Sequence, residues 1–310
     1  MSYKLKLLSA LSVLAAVISG CASAPQTVAN WQYNPQLSQA KNIANMFELY
    51  EIQDQNAPKG MGQGTFASNI IFNTSAIDAA YGSPFLPGAE GLNALGFGLL
   101  LSVGQAMKKE FWEVDNIFGF IPVKAANTPE KASEYLGKAI EKSIVQAINA
   151  KFPEYKVETF DKLAGWRDPK KSSWDLASYT RIVHLVNPKD GCYSAKDYNE
   201  HKNGMCYISI NVPLPAEQIA LPPAIGSTGE QVWRITQKNL FNEDVLWAVK
   251  FYKGSDVENM LPNYKLLPQA AKFMPKNTYI YLASDIVNGK RTPPMILEGN
   301  KVHFFVKPSK

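Results

Sequence analysis

The first twenty residues decide where, and in which redox state, the rest of this 310-residue chain folds. Residues 1–6 carry Lys4 and Lys6, and residues 7–18 are apolar apart from Ser9 and Ser12. A short basic stretch followed by a short apolar one has the order of an export signal, and it is too short to span a bilayer as a helix. Export delivers the body to an oxidising compartment, where cysteines pair. Beyond residue 21 only Cys192 and Cys206 remain, an even pair that reads as a disulfide. Strand-like runs at residues 179–186 and 207–212 flank them, with a polar stretch between. The bridge is therefore expected to staple the long tip of an antiparallel hairpin. A metal site built from Cys192, His201 and Cys206 with Asp197 or Glu200 is the competing reading. It lacks the short Cys-x₂₋₄-Cys spacing of such sites, so neither metal nor other cofactor is expected.

The apolar stretch closes on Ile18-Ser19-Gly20-Cys21. This ending resembles a lipobox, the cleavage and acylation signal of bacterial lipoproteins, and the resemblance covers residues 1–22. It implies removal of residues 1–20, three acyl chains on Cys21, and attachment to the lipid bilayer through that residue. Each buried CH₂ would stabilise the anchor by about 0.8 kcal/mol. Residue 22 is Ala rather than the Asp that retains many such proteins in the inner membrane. The resemblance thus implies the bacterial outer membrane, facing periplasm or cell exterior. Residues 21–35, small and polar with Pro25 and Pro35, read as a lipidated tether. Residues 36–310 read as an α+β body, either one domain or a helical 36–150 part followed by a β-rich 151–310 part.

Loss of the two signal lysines lowers the excess of basic over acidic residues from 5 to 3, too little to argue for nucleic acid. A hydrophobic content of 46% is that of an ordinary globular protein.

Apolar positions at Leu37, Ala40, Ile43, Ala44, Phe47 and Tyr50 make a helical stripe over residues 37–50. Residues 92–107 are the most apolar of the body and predict a helix buried nearly all round, or the lining of a lipid cavity. Thr128-Pro129-Glu130 opens the clearest helix: a capping hydroxyl, a proline suited to the first position, and an acid facing the dipole. Strands are expected at 155–160, 179–186, 206–212 and 232–236, a helix at 242–253, and short helical turns broken by Pro262 and Pro268 at 260–274. A terminal meander follows at 278–283, 295–297 and 302–306, with turns at Asn288-Gly289 and Gly299-Asn300. The class is α+β, with helices mainly in the first half and antiparallel sheet mainly in the second.

No catalytic constellation stands out. Ser38-Gln39-Ala40-Lys41 has the Ser-x-x-Lys spacing of β-lactamases, but the Ser-Asp-Asn and Lys-Thr-Gly partners are missing. His184 and His303 lie in strands and can meet only if the sheet brings them together. Trp166, Arg167 and Trp174, with Asp168, Lys170 and Lys171, make an aromatic-basic loop suited to a glycan or partner contact. The leading expectation is a non-enzymatic accessory, scaffold or binding subunit with an envelope protein partner. The alternatives are a carrier of lipid or a small ligand with an apolar cavity near residues 92–107, and a hydrolase assembled from distant residues.

Overall fold

A computed structural model describes residues 31–54, 115–159, 165–167, 178–194, 206–214, 217–223, 225, 229–236, 250–252, 263–284, 286–287, 290–291 and 294–307. Cys21, His201, Trp174 and the apolar run 92–107 lie outside them. The described elements are α1 (Gln39–Met46), α2 (Pro129–Lys151), α3 (Asn263–Ala271) and the strands β1 (Asn116–Pro122), β2 (Lys156–Thr159), β3 (Gly165–Arg167), β4 (Ser178–Val186), β5 (Cys206–Pro213), β6 (Glu217–Ala220), β7 (Gln231–Ile235), β8 (Lys250–Tyr252), β9 (Thr278–Leu282), β10 (Ile286–Val287), β11 (Lys290–Arg291), β12 (Met295–Glu298) and β13 (Lys301–Phe304). Every described strand pairing is antiparallel, and the class is α+β.

Two sheets share one layer of helices. The first has the order β13-β12-β9-β1-β7-β6, the second β2-β4-β5-β8 with β3 also on β4. Period-two alternation sorts the first sheet into two faces. Ile117, Ile121, Ile235, Ile280, Leu282 and Leu297 join α2 and α3 in one core, and Phe118, Phe120, Val232, Tyr279, Tyr281 and Ile296 join α1 in another. Helix α2 also packs on β4 and β5, where Val183, Leu185, Ile208, Ile210 and Val212 complete the first core. Gly137 is what lets α2 come this close, because a Cβ there would stand 2.8 Å from the Tyr179 ring.

Each helix boundary has a local cause. Thr128 Oγ1 accepts from the Lys131 amide at the start of α2, with Pro129 at the first position, as its sequence requires. Ser38 caps α1 in the same manner, accepting from the Lys41 amide at 2.9 Å. Helix α1 is shorter than the apolar stripe because Glu48 turns to a φ of 61°. That left-handed conformation is costly outside glycine, and Arg234 Nη2, 2.9 Å from the Glu48 carboxylate, holds it in place.

Four expectations are corrected. Residues 250–252, expected at the end of a helix, form β8, because Phe251 pairs with Ile208 on the edge of the second sheet; the rest of 242–253 lies outside the described residues. Pro268 does not break α3: at the sixth of its nine positions it forfeits one backbone hydrogen bond, and burial of Leu266, Leu267, Ala270 and Ala271 offsets that loss. Residues 165–167, read as loop, are strand β3. Trp31, assigned to the tether, is buried against the α1 core, and the Asn34 amide donates to Asn42 Oδ1 at 2.9 Å, so the folded body starts before residue 36.

Cys192 and Cys206 form the expected disulfide, with Cα atoms 5.2 Å apart and 14 residues between them in sequence. It closes the β4–β5 hairpin, where Leu185 stands opposite Cys206. The chain leaving β4 is tied down as well. Asn187 exchanges both backbone hydrogen bonds with Cys192, and Tyr155 Oη donates to Asp190 at 2.9 Å. Closing a loop of about 15 residues contributes roughly 3 kcal/mol in the chain-entropy model. A Cys192→Ser/Cys206→Ser double variant should lose about that much stability in denaturant melts. Intact mass should rise by two hydrogens on reduction of the parent chain and not of the variant.

Candidate functional site

The face of the second sheet turned away from α2 carries the densest group of buried polar side chains described. Register puts Glu158, His184, Tyr207 and Tyr252 in one row across β2, β4, β5 and β8. Thr180 stands opposite Asn211, and Ser209 opposite Ile182. Thr180 Oγ1 donates to Asn211 Oδ1 at 2.9 Å, and Asn211 Nδ2 donates to Ser209 Oγ at 3.2 Å. Thr180, His184, Ser209 and Asn211 are all buried.

His184 is the titratable centre of this face. Its Nδ1 lies 3.4 Å from Glu158 Oε2. Burial pushes its pKa below the ordinary 6.5, and the Glu158 charge and a hydrogen bond with the Tyr193 backbone act in the opposite direction. A carboxylate beside an imidazole is the orienting half of a base–nucleophile unit. Here, however, the ring is fully buried, and the Ser209 hydroxyl next along the face already accepts from Asn211. Such a network fixes register and partner choice among strands.

Linkage gives the sign of the pH effect. The folded state holds His184 neutral to a lower pH than the unfolded chain does. The burden is therefore absent above 6.5 and grows as pH falls below it. Thermal midpoints should drop between about pH 7 and pH 5, and the drop should be shallower in His184→Gln. Glu298 acts in a separate, more acidic window. A hydrogen bond with His303, whose Nε2 lies 3.0 Å from Oε2, holds its carboxyl below 4.5. That contribution is complete above 4.5 and is lost as pH falls through the lower, folded value.

The other residues singled out from sequence are dispersed. His303 sits in β13 of the first sheet and His184 in β4 of the second, so no sheet joins them. Ser38 and Lys41 are adjacent but occupied. Ser38 Oγ donates to Asp54 Oδ1 at 2.5 Å, and Lys41 Nζ donates to the Tyr50 carbonyl at 2.7 Å. Burial lowers the Lys41 pKa against the opposing charges of Asp54 and Glu51. In strand β3 Trp166 is placed opposite Tyr179 and Arg167 opposite Ser178. Among the described residues no group of three His, Cys, Asp or Glu side chains is disposed to hold a metal, and no helix is long and apolar enough to cross a membrane.

Sequence reasoning missed the Thr180–Asn211–Ser209 chain and Glu158. One signal was present: the even-numbered half of the β4 alternation carries Thr180 and His184 amid apolar neighbours. The sequence matches no known family model, and comparison with characterised proteins and with solved structures finds no match.

Proposed function

We propose that this chain is a lipid-anchored envelope lipoprotein acting as a non-enzymatic accessory or binding subunit, attached through acylated Cys21 to the bacterial outer membrane. The observation that carries the reading is Cys21 at the end of a basic-then-apolar N-terminus. The Cys192–Cys206 disulfide supports the export step on which it depends, because such a bridge persists in an oxidising compartment. The binding role draws support from how the reactive side chains are used. Ser38, Lys41 and His184 are buried in the fold, the first two in hydrogen bonds that cap and close α1.

Radiolabelled palmitate should appear on the parent chain and not on Cys21→Ser, and the variant should leave the membrane fraction. A Cys21→Ser chain that still sediments with membranes would overturn the anchor. Mild cross-linking in cells should recover a stoichiometric envelope protein partner, and recovery of the chain alone at native abundance would overturn the subunit role.

A further inference from the structure

Trp31, Gln32, Tyr33, Gln39 and Pro223 line an open cleft of about 620 Å³ beside the start of α1, within the size range of small-ligand sites, about 300–1,000 Å³. The Trp31 and Tyr33 rings meet edge to face, with centroids 6.5 Å apart and planes at 78°. Trp31 is 8% exposed and anchored in the core, whereas Tyr33 is 47% exposed and offers its ring to solvent. Among the described residues no hydrogen bond engages the Gln32 or Gln39 side-chain amide.

We propose that this cleft binds an uncharged saccharide of the cell envelope. The proposal deepens the binding role above and rests on it for the compartment. Among the described lining residues none is charged, so they offer an anionic headgroup or acidic sugar no counter-cation. A primary amide both donates and accepts, as a sugar hydroxyl does, and an exposed tyrosine ring packs against the apolar face of a pyranose. Two perpendicular rings form a corner for a compact ring. A polyproline helix needs an aromatic-lined groove along its length and has few N–H donors for the glutamine carbonyls. Position agrees with chemistry: the ten residues from Cys21 to Asn30 reach at most about 35 Å, which keeps the cleft close to the bilayer surface.

The test is calorimetric titration of the full chain, in a zwitterionic detergent without a sugar headgroup, with uncharged oligosaccharides of N-acetylglucosamine and of glucose. Saturable binding is expected with at least one series. Tyr33→Ala should weaken it about tenfold, Gln39→Ala should weaken it as well, and Tyr33→Phe should retain it. Unchanged melting of the exposed Tyr33 variants separates loss of the site from loss of the fold. Absence of saturable binding by every uncharged oligosaccharide would overturn the proposal, as would equal affinity in Tyr33→Ala or binding of a proline-rich peptide alone. Palmitate labelling is read on the same chain. Labelled but sugar-blind protein refutes this cleft alone, and sugar-binding but unlabelled protein refutes the anchor alone.

Discussion

Arg181→Ala should lower the unfolding free energy by about 3–5 kcal/mol, among the largest losses expected from one substitution in this molecule. Arg181 on β4 and Glu141 on α2 form a forked pair, Nε to Oε2 at 2.7 Å and Nη2 to Oε1 at 3.0 Å. Their side chains are only 17% and 11% exposed, and the hydrogen bond to Glu141 raises the arginine pKa further above its ordinary value. Removing the guanidinium strands a carboxylate between helix and sheet, far costlier than losing a surface pair. Replacing both partners, as Glu141→Leu/Arg181→Leu, removes the buried charge with its partner and should recover most of the loss. Denaturant midpoints at unchanged slope measure both arms. A single-variant loss under about 1 kcal/mol would show that water solvates the pair.

That pair also illustrates what a sequence alone can and cannot say. Glu141 falls on the face of α2 that the periodicity assigns to solvent, beside Lys138 and Lys142. Periodicity assumes one narrow buried stripe, but α2 packs against both sheets and buries about half its circumference, Glu141 at its margin. A helix in that position needs a partner for any charge on its second buried side, and Arg181 supplies it. The helix itself was legible, because Thr128, Pro129 and the apolar spacing all agree.

Strand β1 was not legible, for a related reason. Asn-Ile-Phe-Gly-Phe-Ile-Pro is apolar on both faces, since α1 covers one and the α2–α3 layer the other. Without alternation, a short apolar run cannot be told from a fragment of helix. Its place at the centre of the first sheet depends on β7 and β9, more than a hundred residues away in sequence. The polar face of the second sheet was half legible. Alternation in β4 separated Thr180 and His184 from Arg181 and Val183, yet Asn211, Ser209 and Glu158 reach them only through strand register. The disulfide was readable because compartment and hairpin pattern pointed the same way. The cleft was hidden because its aromatic residues sit in what reads as tether.

The tether's inner end leads to the second large effect, Phe47→Ala, expected to cost about 3–5 kcal/mol. Helix α1 is eight residues long, too short to persist without tertiary contacts. It is held by an aromatic plug: the Phe47 ring centre lies 4.4 Å from Phe118, 4.6 Å from Phe120 and 5.8 Å from Tyr279, with no exposure to solvent. Truncation removes the ring and leaves a void lined by three rigid aromatics on strands β1 and β9, which close-packed interiors fill poorly. The effect should also be local. Because Arg234 reaches the Met46 carbonyl and Glu48 from β7, undocking α1 strips that guanidinium of two partners, and Trp31 loses the helix it packs on. Hydrogen exchange of the Gln39–Met46 amides should accelerate by roughly two to four orders of magnitude, while the disulfide-closed β4–β5 hairpin changes far less. Equal acceleration in both regions would mean that α1 and the second sheet open as one cooperative unit. No acceleration would mean that Phe118, Phe120 and Tyr279 collapse into the space Phe47 leaves.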